Sequence, residues 1–266
     1  MNRDYWKNKT IVITGTSSGI GSAVLDLLKD FDLTIYTLNR SEKNPLSNTK
    51  AKIIPITCDI SLEKDVMTAT KQILEQSKTI DVLFNNAGIT THGRFDETTL
   101  DVFRTTFNIN FFGTVNLTLK LIEALKLAKG CILTVSTVSG LYGIPGRSVY
   151  SSSKSALHAV FESLRIELSE FGVRSIIFCP PYTKTNLRTS GLTGSGEKLN
   201  EAQYAGKVLS PEEVALAMVN AVEDKNSRLV TLDKSGFFVK VLRLFAPAFL
   251  EKKLFQKLYK DFHHEK

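Results

Sequence analysis

Short, nearly continuous apolar runs alternate along the chain with longer stretches in which apolar residues recur every three or four positions. The runs at 10–14 (TIVIT), 33–38, 52–57, 81–85 (DVLFN), 131–136 (CILTVS) and 173–178 (VRSIIF) are of strand length. They lack polar alternation, which marks strands covered on both faces. Between them the spacing predicts helices over about 20–29, 61–77, 100–127 and 150–171, with Gly172 as the stop of the last. Ser210, Pro211 and Glu213 read as the cap, first-turn proline and closing acid of a further helix. A last strand is expected at 229–232. This order implies a single doubly wound α/β domain of Rossmann type with a parallel sheet.

Two segments depart from the pattern. Residues 183–209 are polar and carry Gly191, Gly194, Gly196 and Gly206. Too few residues follow for a second domain, so the stretch reads as a mobile loop rather than a domain linker. Residues 234–266 form a basic amphipathic tail, expected to be helical and broken or kinked at Pro247. The tail holds eight basic and three acidic residues, a surplus of five within the chain's net charge of +7. The body is therefore nearly neutral, which argues against nucleic acid as a partner. Between 237 and 259 large apolar residues alternate with lysines and arginines. Two readings stay open: peripheral contact with an anionic membrane surface, or packing on the subunit or a partner chain.

Composition narrows the class. The chain has 266 residues, 42% of them hydrophobic, enough for a sizeable core. No run reaches the length of a membrane span, and the first ten residues lack the apolar stretch of a signal peptide. Cys58, Cys131 and Cys179 are odd in number and far apart, and the four histidines show no ligand spacing. A cytoplasmic setting is expected, with neither a disulfide framework nor a metal site.

Chemistry concentrates at a few places. Thr14-Gly15-Thr16-Ser17-Ser18-Gly19-Ile20-Gly21 lies between the first strand and the first helix. Glycines there permit a tight turn and close backbone approach, and the helix N-terminus offers free N–H groups to a pyrophosphate. Tyr150 and Lys154 are four apart, on one face of a helix. A neighbouring ammonium is expected to lower the phenol's pKa and bring proton transfer into range.

Taken together, the motifs resemble those of the short-chain dehydrogenases/reductases. T-G-x-x-x-G-x-G at 14–21, Asn85-Asn86-Ala87-Gly88, Asn110 and Tyr150-Ser151-Ser152-Ser153-Lys154 occur in that family's order and spacing, over about residues 9–232. The resemblance implies a seven-stranded sheet ordered 3-2-1-4-5-6-7 and a homodimer or homotetramer formed through the two long helices. It assigns Gly15, Ser17, Ser18, Gly19, Ile20, Gly21, Asp59, Ile60, Asn86, Ala87 and Gly88 to the cofactor. Asp59 can alternatively serve as a cap before the next helix. Tyr150 becomes the general acid/base. Lys154 becomes its tuner and ribose ligand, and Asn110 the holder of a proton-relay water. The family's serine falls, by counting, on Thr137, which keeps a hydroxyl for orienting substrate but adds a methyl. Cys179-Pro180-Pro181-Tyr182-Thr183-Lys184-Thr185 resembles P-G-x-x-x-T with proline in place of glycine. Thr183 and Thr185 then face the cofactor, and the polar stretch at about 183–209 becomes the lid over the substrate within a catalytic domain spanning 1–233. Apart from the resemblance, Tyr142 and Tyr182, with Ile144 and Leu187, read as an apolar wall of the substrate pocket.

Charge selects among nicotinamide cofactors. The second strand ends in Leu38-Asn39-Arg40, where a chain that takes NAD usually sets an acid. A guanidinium binds a 2′-phosphate that a carboxylate would repel, so NADP(H) is preferred over NAD(H). The expected activity is NADPH-dependent reduction of a ketone or aldehyde, or the reverse alcohol oxidation. Two rivals remain: a non-catalytic dinucleotide-binding regulator or scaffold, and a membrane-associated reductase of a lipid-like carbonyl.

Overall fold

The structure, a computed structural model, describes residues 1–41, 49–200 and 208–262. Part of the expected lid, 201–207 with Gly206, and the end of the tail, 263–266, lie outside the described residues. In chain order the elements are α1 (Arg3–Trp6), β1 (Thr10–Thr14), α2 (Gly19–Leu28), β2 (Thr34–Asn39), β3 (Lys52–Thr57), α3 (Glu63–Gln76), β4 (Val82–Asn85), β5 (Thr91–His92) and α4 (Leu100–Phe107). They continue with α5 (Thr114–Ala128), β6 (Cys131–Val135), α6 (Ser148–Glu167), β7 (Arg174–Cys179), β8 (Leu192–Thr193), α7 (Pro211–Glu223), β9 (Leu229–Thr231), α8 (Ser235–Phe245) and α9 (Pro247–Phe262).

Seven strands form one parallel sheet in the order β3-β2-β1-β4-β6-β7-β9. Counted along the chain without the short β5 and β8, this is the order expected from the motifs. Strand faces alternate, so Ile11, Ile13, Phe84 and Leu133 enter the core beneath α2 and α7. Val12, Leu83 and Ile132 enter the second core, beneath α3, α5 and α6. The chain's direction across the sheet reverses at β1, whose neighbours are β2 and β4. A crevice opens there at the strands' C-terminal ends, where ligands bind in doubly wound sheets.

The structure refines several expected elements. The helix expected over 100–127 is α4 and α5 joined without a break by a wider π turn, Asn108–Gly113. Gly113 is required by close packing there: a Cβ would stand 2.5 Å from the carbonyl oxygen of Ile60. The helix expected from Tyr150 begins at Ser148, so Tyr150 lies in its first turn. Pro247 divides the tail into two helices and is itself the first residue of α9. Unforeseen are α1 and the two-stranded parallel pair β5–β8, which joins the lid to the segment after β4.

The capping box at Ser210 and Glu213 forms with both of its hydrogen bonds. At the other end of α7, Glu223 Oε1 accepts from Trp6 Nε1 at 2.6 Å, clasping α1 to the domain. Trp6 has no solvent exposure. Replacing Trp6 by Ala is expected to lower the unfolding free energy by about 3–5 kcal/mol, through the cavity left and the lost bond. Urea denaturation followed by circular dichroism measures it.

Candidate active site

The glycine turn is held by strain-free backbone and by a side chain from a neighbouring strand. Gly15 and Gly19 have φ of +73° and +60°, which favour glycine over residues with a Cβ. Gly21 packs under the turn: a Cβ there would run into the Gly15 carbonyl and stand 2.6 Å from the Asn86 amide. Asn86 Nδ2 donates to the carbonyls of Thr14 and Gly15 at 3.0 and 3.1 Å. Thr14 Oγ1 accepts from the backbone N–H of Asn86 and Ala87 at 3.1 and 2.9 Å. Ser18, extended and exposed, caps α2 without a side-chain hydrogen bond to it. The cradle is thus close-packed below, while the N-terminus of α2 above it offers backbone N–H groups, the donors that a dinucleotide's pyrophosphate requires.

The adenosine side is more mixed. Asn39, where an acid was looked for, is buried; its Nδ2 donates to Thr16 Oγ1 at 2.9 Å and its Oδ1 accepts from the same hydroxyl at 3.3 Å. Its amide therefore secures the turn, and the exposed Arg40 follows it. Asp59 Oδ1 accepts from the N–H and hydroxyl of Ser61 at 2.9 and 2.6 Å, a local turn leading into α3. That turn engages Oδ1 of Asp59, and the residue at the cap of α3 is Leu62. Ile60 beside Asp59 is buried against Gly113.

Two residues named from the motifs, Asn110 and Lys154, meet at Gly88. Asn110 is fully buried in the π turn; its Nδ2 donates to the Ile89 carbonyl at 2.9 Å and to Ser153 Oγ at 3.0 Å, and its Oδ1 accepts from Ile89 N–H at 2.8 Å. Lys154 Nζ donates to the Val135 carbonyl at 2.8 Å. It also stands so close to Gly88 that a Cβ there would be 3.3 Å away, and 3.0 Å from Asn110 Oδ1. Thr137 follows β6; its Oγ1 accepts from the N–H and hydroxyl of Ser139 at 3.4 and 3.3 Å. Its own hydroxyl proton stays available to the cleft. Ser136 turns the other way and is buried with Oγ 2.7 Å from His158 Nε2. Alternation along the extended chain thus separates the two hydroxyls, and Thr137 has the more open position.

Electrostatics correct one expectation. The Tyr150 phenol is not lowered by Lys154. Burial pushes it up to about 12, and the cation that pulls against this is Arg147. Burial also brings the Lys154 ammonium down to about 8. Its amine binds Val135 and not Tyr150, so burial outweighs mutual charge for both groups.

The remaining expected residues spread around this centre. Thr185 packs against Gly19, and a Cβ there would meet its Cγ2 at 3.0 Å. Thr183 Oγ1 donates back to the Pro181 carbonyl at 2.9 Å. Tyr182 is partly exposed, with the Arg188 guanidinium 5.1 Å from its ring centroid. Tyr142 joins the tail: its hydroxyl donates to Glu251 Oε1 at 3.0 Å. It lines a groove shared with Ile144, Leu254, Phe255 and Ser148, Ser151, Ser152 and Ser155 of α6. By helical periodicity Ser148 and Ser152 lie on the far side from Tyr150 and Lys154, whereas Ser151, three residues before Lys154, borders their face. Motif matching missed Arg147 and His158, both buried. Arg147 immediately precedes α6 and His158 shares a face with Ser151 and Lys154, so no break in an apolar pattern marks either in the sequence.

Fold and site together define a dinucleotide-dependent oxidoreductase. The sequence profile described as short chain dehydrogenase matches residues 9–194. The chain belongs to the short-chain dehydrogenase/reductase family. Dehydrogenase/reductase SDR family member 7B of Xenopus tropicalis is 32% identical, over 91% of this chain and 83% of that one. A Dehydrogenase/reductase SDR family protein 7-like of Anopheles gambiae is 31% identical, over 83% and 74%. Among solved structures, a short chain dehydrogenase from Burkholderia cenocepacia in complex with NADP superposes with a TM-score of 0.78 at 22% identity, covering 96% of this chain and 99% of that one. One from Burkholderia phymatum in complex with NAD gives 0.78 at 21%, covering 94% and 97%.

His158 provides a test of the buried polar cluster. Its imidazole is lowered to about 4, chiefly by burial and then by Lys240, Lys154 and Arg165. It is neutral in the folded chain at pH values where the unfolded chain takes up a proton. Stability should therefore fall as pH drops from about 6.5 to about 4. His158→Gln, which keeps a hydrogen-bonding group but cannot titrate, should flatten that slope. Thermal melts of both chains across this range measure it.

Proposed function

We propose that the chain is an NADP(H)-dependent reductase of ketones or aldehydes that also oxidises the corresponding alcohols. The observation that carries this reading is the meeting of Lys154 and Asn110 at Gly88, two residues beyond the Asn86 that holds the glycine turn, with Tyr150 one turn before Lys154 on the same helix and Thr137 two residues after the Val135 carbonyl that Lys154 binds. Gly15, Ser17, Ser18, Gly19, Ile20 and Gly21 would cradle the pyrophosphate, with Thr183 and Thr185 at its side. Asn86, Ala87 and Gly88 would line the nicotinamide half, and Asp59 and Ile60 the adenine. When bound, the nicotinamide supplies or accepts the hydride. Tyr150 gives its phenolic proton to the carbonyl oxygen as negative charge develops there, or takes the alcohol's proton in reverse. Thr137 donates a hydrogen bond to the same oxygen and so fixes the reacting face. Lys154, with a pKa of about 8, can gain and lose a proton near neutral pH. That suits it to pass protons between Tyr150, the ribose and water held at Asn110. Tyr182 would border the substrate at the mouth and Tyr142 at its outer edge.

NADP(H) preference rests on Asn39 and Arg40. The amide cannot repel a 2′-phosphate, and the exposed guanidinium can pair with it. The complete acid–base set disfavours a non-catalytic regulator. Phe112, Leu119, Leu127 and Ile166, all exposed, support a homodimer through α5 and α6. In this reading residues 1–233 carry the chemistry, in a cytoplasmic enzyme.

The tail supports a second reading, membrane attachment. Phe237, Phe238, Leu244 and Phe245 form one outward stripe of α8, with Leu244 and Phe245 75% and 82% exposed at its end. Lys240, Arg243, Lys252 and Lys253 flank this stripe and the start of α9. Arg243 NH1 donates to the Leu141 carbonyl at 2.7 Å, which ties the stripe to the loop of Tyr142. Among the described residues no helix is long and apolar enough to cross a membrane. The arrangement suits shallow insertion beneath anionic headgroups, beside a site for a lipid-like carbonyl.

The first test is NADPH oxidation, by absorbance, over a panel of ketones, aldehydes and acyl-chain carbonyls. Turnover on at least one is expected, with a loss of about 100-fold or more in Tyr150→Phe. NADPH binding without turnover on any member would favour the regulator. With the same substrate, NADPH should be used at lower KM than NADH, and Arg40→Glu should reverse that order. For the tail, the full chain should co-sediment with anionic but not neutral vesicles, and Leu244→Asp/Phe245→Asp should abolish it. No binding to anionic vesicles would reject membrane attachment; binding that ignores vesicle charge would reject the role of the basic side chains, and binding that survives the double change would reject the stripe as the attachment site.

A further inference from the structure

A single arginine lies where the catalytic helix meets the lid. Arg147 immediately precedes α6, yet its residue is only 9% exposed, uncommon for an arginine. Its NH1 donates to Thr90 Oγ1 at 2.9 Å and to the Thr91 carbonyl at 3.4 Å. These threonines follow directly on the segment 86–89 that lines the crevice, and Thr91 begins β5. The lid hangs from the same residues. Leu192 N–H donates to the Thr90 carbonyl at 3.0 Å, and β8 pairs with β5. A Cβ on Gly191 would stand 2.5 Å from the Thr90 carbonyl oxygen. On the helix side, the Arg147 carbonyl accepts from Ser151 N–H at 2.7 Å, and Gly93 N–H donates to the Gly146 carbonyl at 2.9 Å. Tyr150 is one turn along.

We propose that Arg147 is a positioning residue that locks the root of the lid to the start of the catalytic helix and sets a fixed, buried positive charge one helical turn before Tyr150. The first half stands on geometry alone. The second rests on the reading of Tyr150 as the proton-transferring group. The titratable groups acting on that phenol are Arg147, Cys179 and Tyr182, and of these only Arg147 favours the phenolate. Lys154, one turn further along α6, directs its amine to Val135. Both bonds leave from the one terminal nitrogen NH1, so lysine at 147 would keep the charge but would have to bring a shorter side chain's ammonium to the same point. Valine at 90 would remove one acceptor and leave the charge in place.

The test uses the full chain and the variants Arg147→Met, Arg147→Lys and Thr90→Val. Hydrogen exchange of the peptide covering 190–199, read by mass spectrometry without substrate, should quicken about tenfold in Arg147→Met and Thr90→Val. Unchanged exchange in both overturns the lock. If Arg147→Met does not fold, Thr90→Val alone decides it. The second readout is alcohol oxidation with NADP+ against pH, using the alcohol of whichever carbonyl is turned over. The rate rises with pH as the phenolate forms. That limb should move up by about one unit in Arg147→Met and stay in place in Arg147→Lys and Thr90→Val. A limb unmoved in Arg147→Met, with Arg147→Lys equally slow, reduces Arg147 to packing and overturns the electrostatic half. Retained turnover in Tyr150→Phe would overturn the reading of the reaction instead, and leave the exchange result standing.

Discussion

The carboxamide of Asn86 holds two consecutive carbonyls, those of Thr14 and Gly15, while the hydroxyl of Thr14 holds the N–H groups of Asn86 and Ala87. This reciprocal clamp joins the ends of β1 and β4, the two strands that flank the crevice. It leaves no room for a side chain at Gly21, and it carries Gly88 to Lys154 and Asn110. The glycine turn and the contact of Lys154 with Asn110 are therefore one mechanical unit. A shift in either is transmitted to the other through backbone atoms that cannot yield without breaking buried hydrogen bonds.

Burial governs the electrostatics of that unit. It raises the phenol and lowers the amine. Both groups are thereby biased towards their neutral forms, a state from which a proton can be given or taken as charge develops on a substrate oxygen. Ser136 and His158 form a second buried polar layer beneath them. Ser136 Oγ also donates to the Lys154 carbonyl at 3.4 Å, so this layer braces the helix behind the lysine. Thr137, the next residue, is released to the cleft by the same strand alternation that buries Ser136.

Outside the core, the surface is divided by what it leaves uncovered. The exposed apolar residues of α5 and α6 sit on helices that also carry acidic side chains such as Glu123 and Glu162, a mixture suited to a second copy of the chain. The stripe on α8 has only basic neighbours within its helix. Its attachment through Arg243 and Glu251 to the loop of Leu141 and Tyr142 couples whatever it contacts to the edge of the cleft.

Periodicity alone determined the strand–helix alternation, because a strand buried on both faces must be apolar throughout and a covering helix must be apolar on one side. Glycine spacing and the Tyr150/Lys154 interval were equally legible, since both express local geometry. The count that the resemblance prescribes falls on Thr137 rather than Ser136, and alternation along the chain leaves Thr137 the less buried of the two. The π turn at Asn110 was not legible: it depends on Gly113 meeting the backbone of Ile60, a contact between residues distant in sequence. The small sheet β5–β8 was hidden for the same reason, being two residues on each side. The sign of the Tyr150 shift was misread from sequence. A four-residue interval states that two groups share a helix face, but it does not state how much water they lose or where an amine points. Desolvation, and the choice of Val135 as the partner of Lys154 and of Thr90 as that of Arg147, exist only once the sheet, the catalytic helix and the lid are packed together.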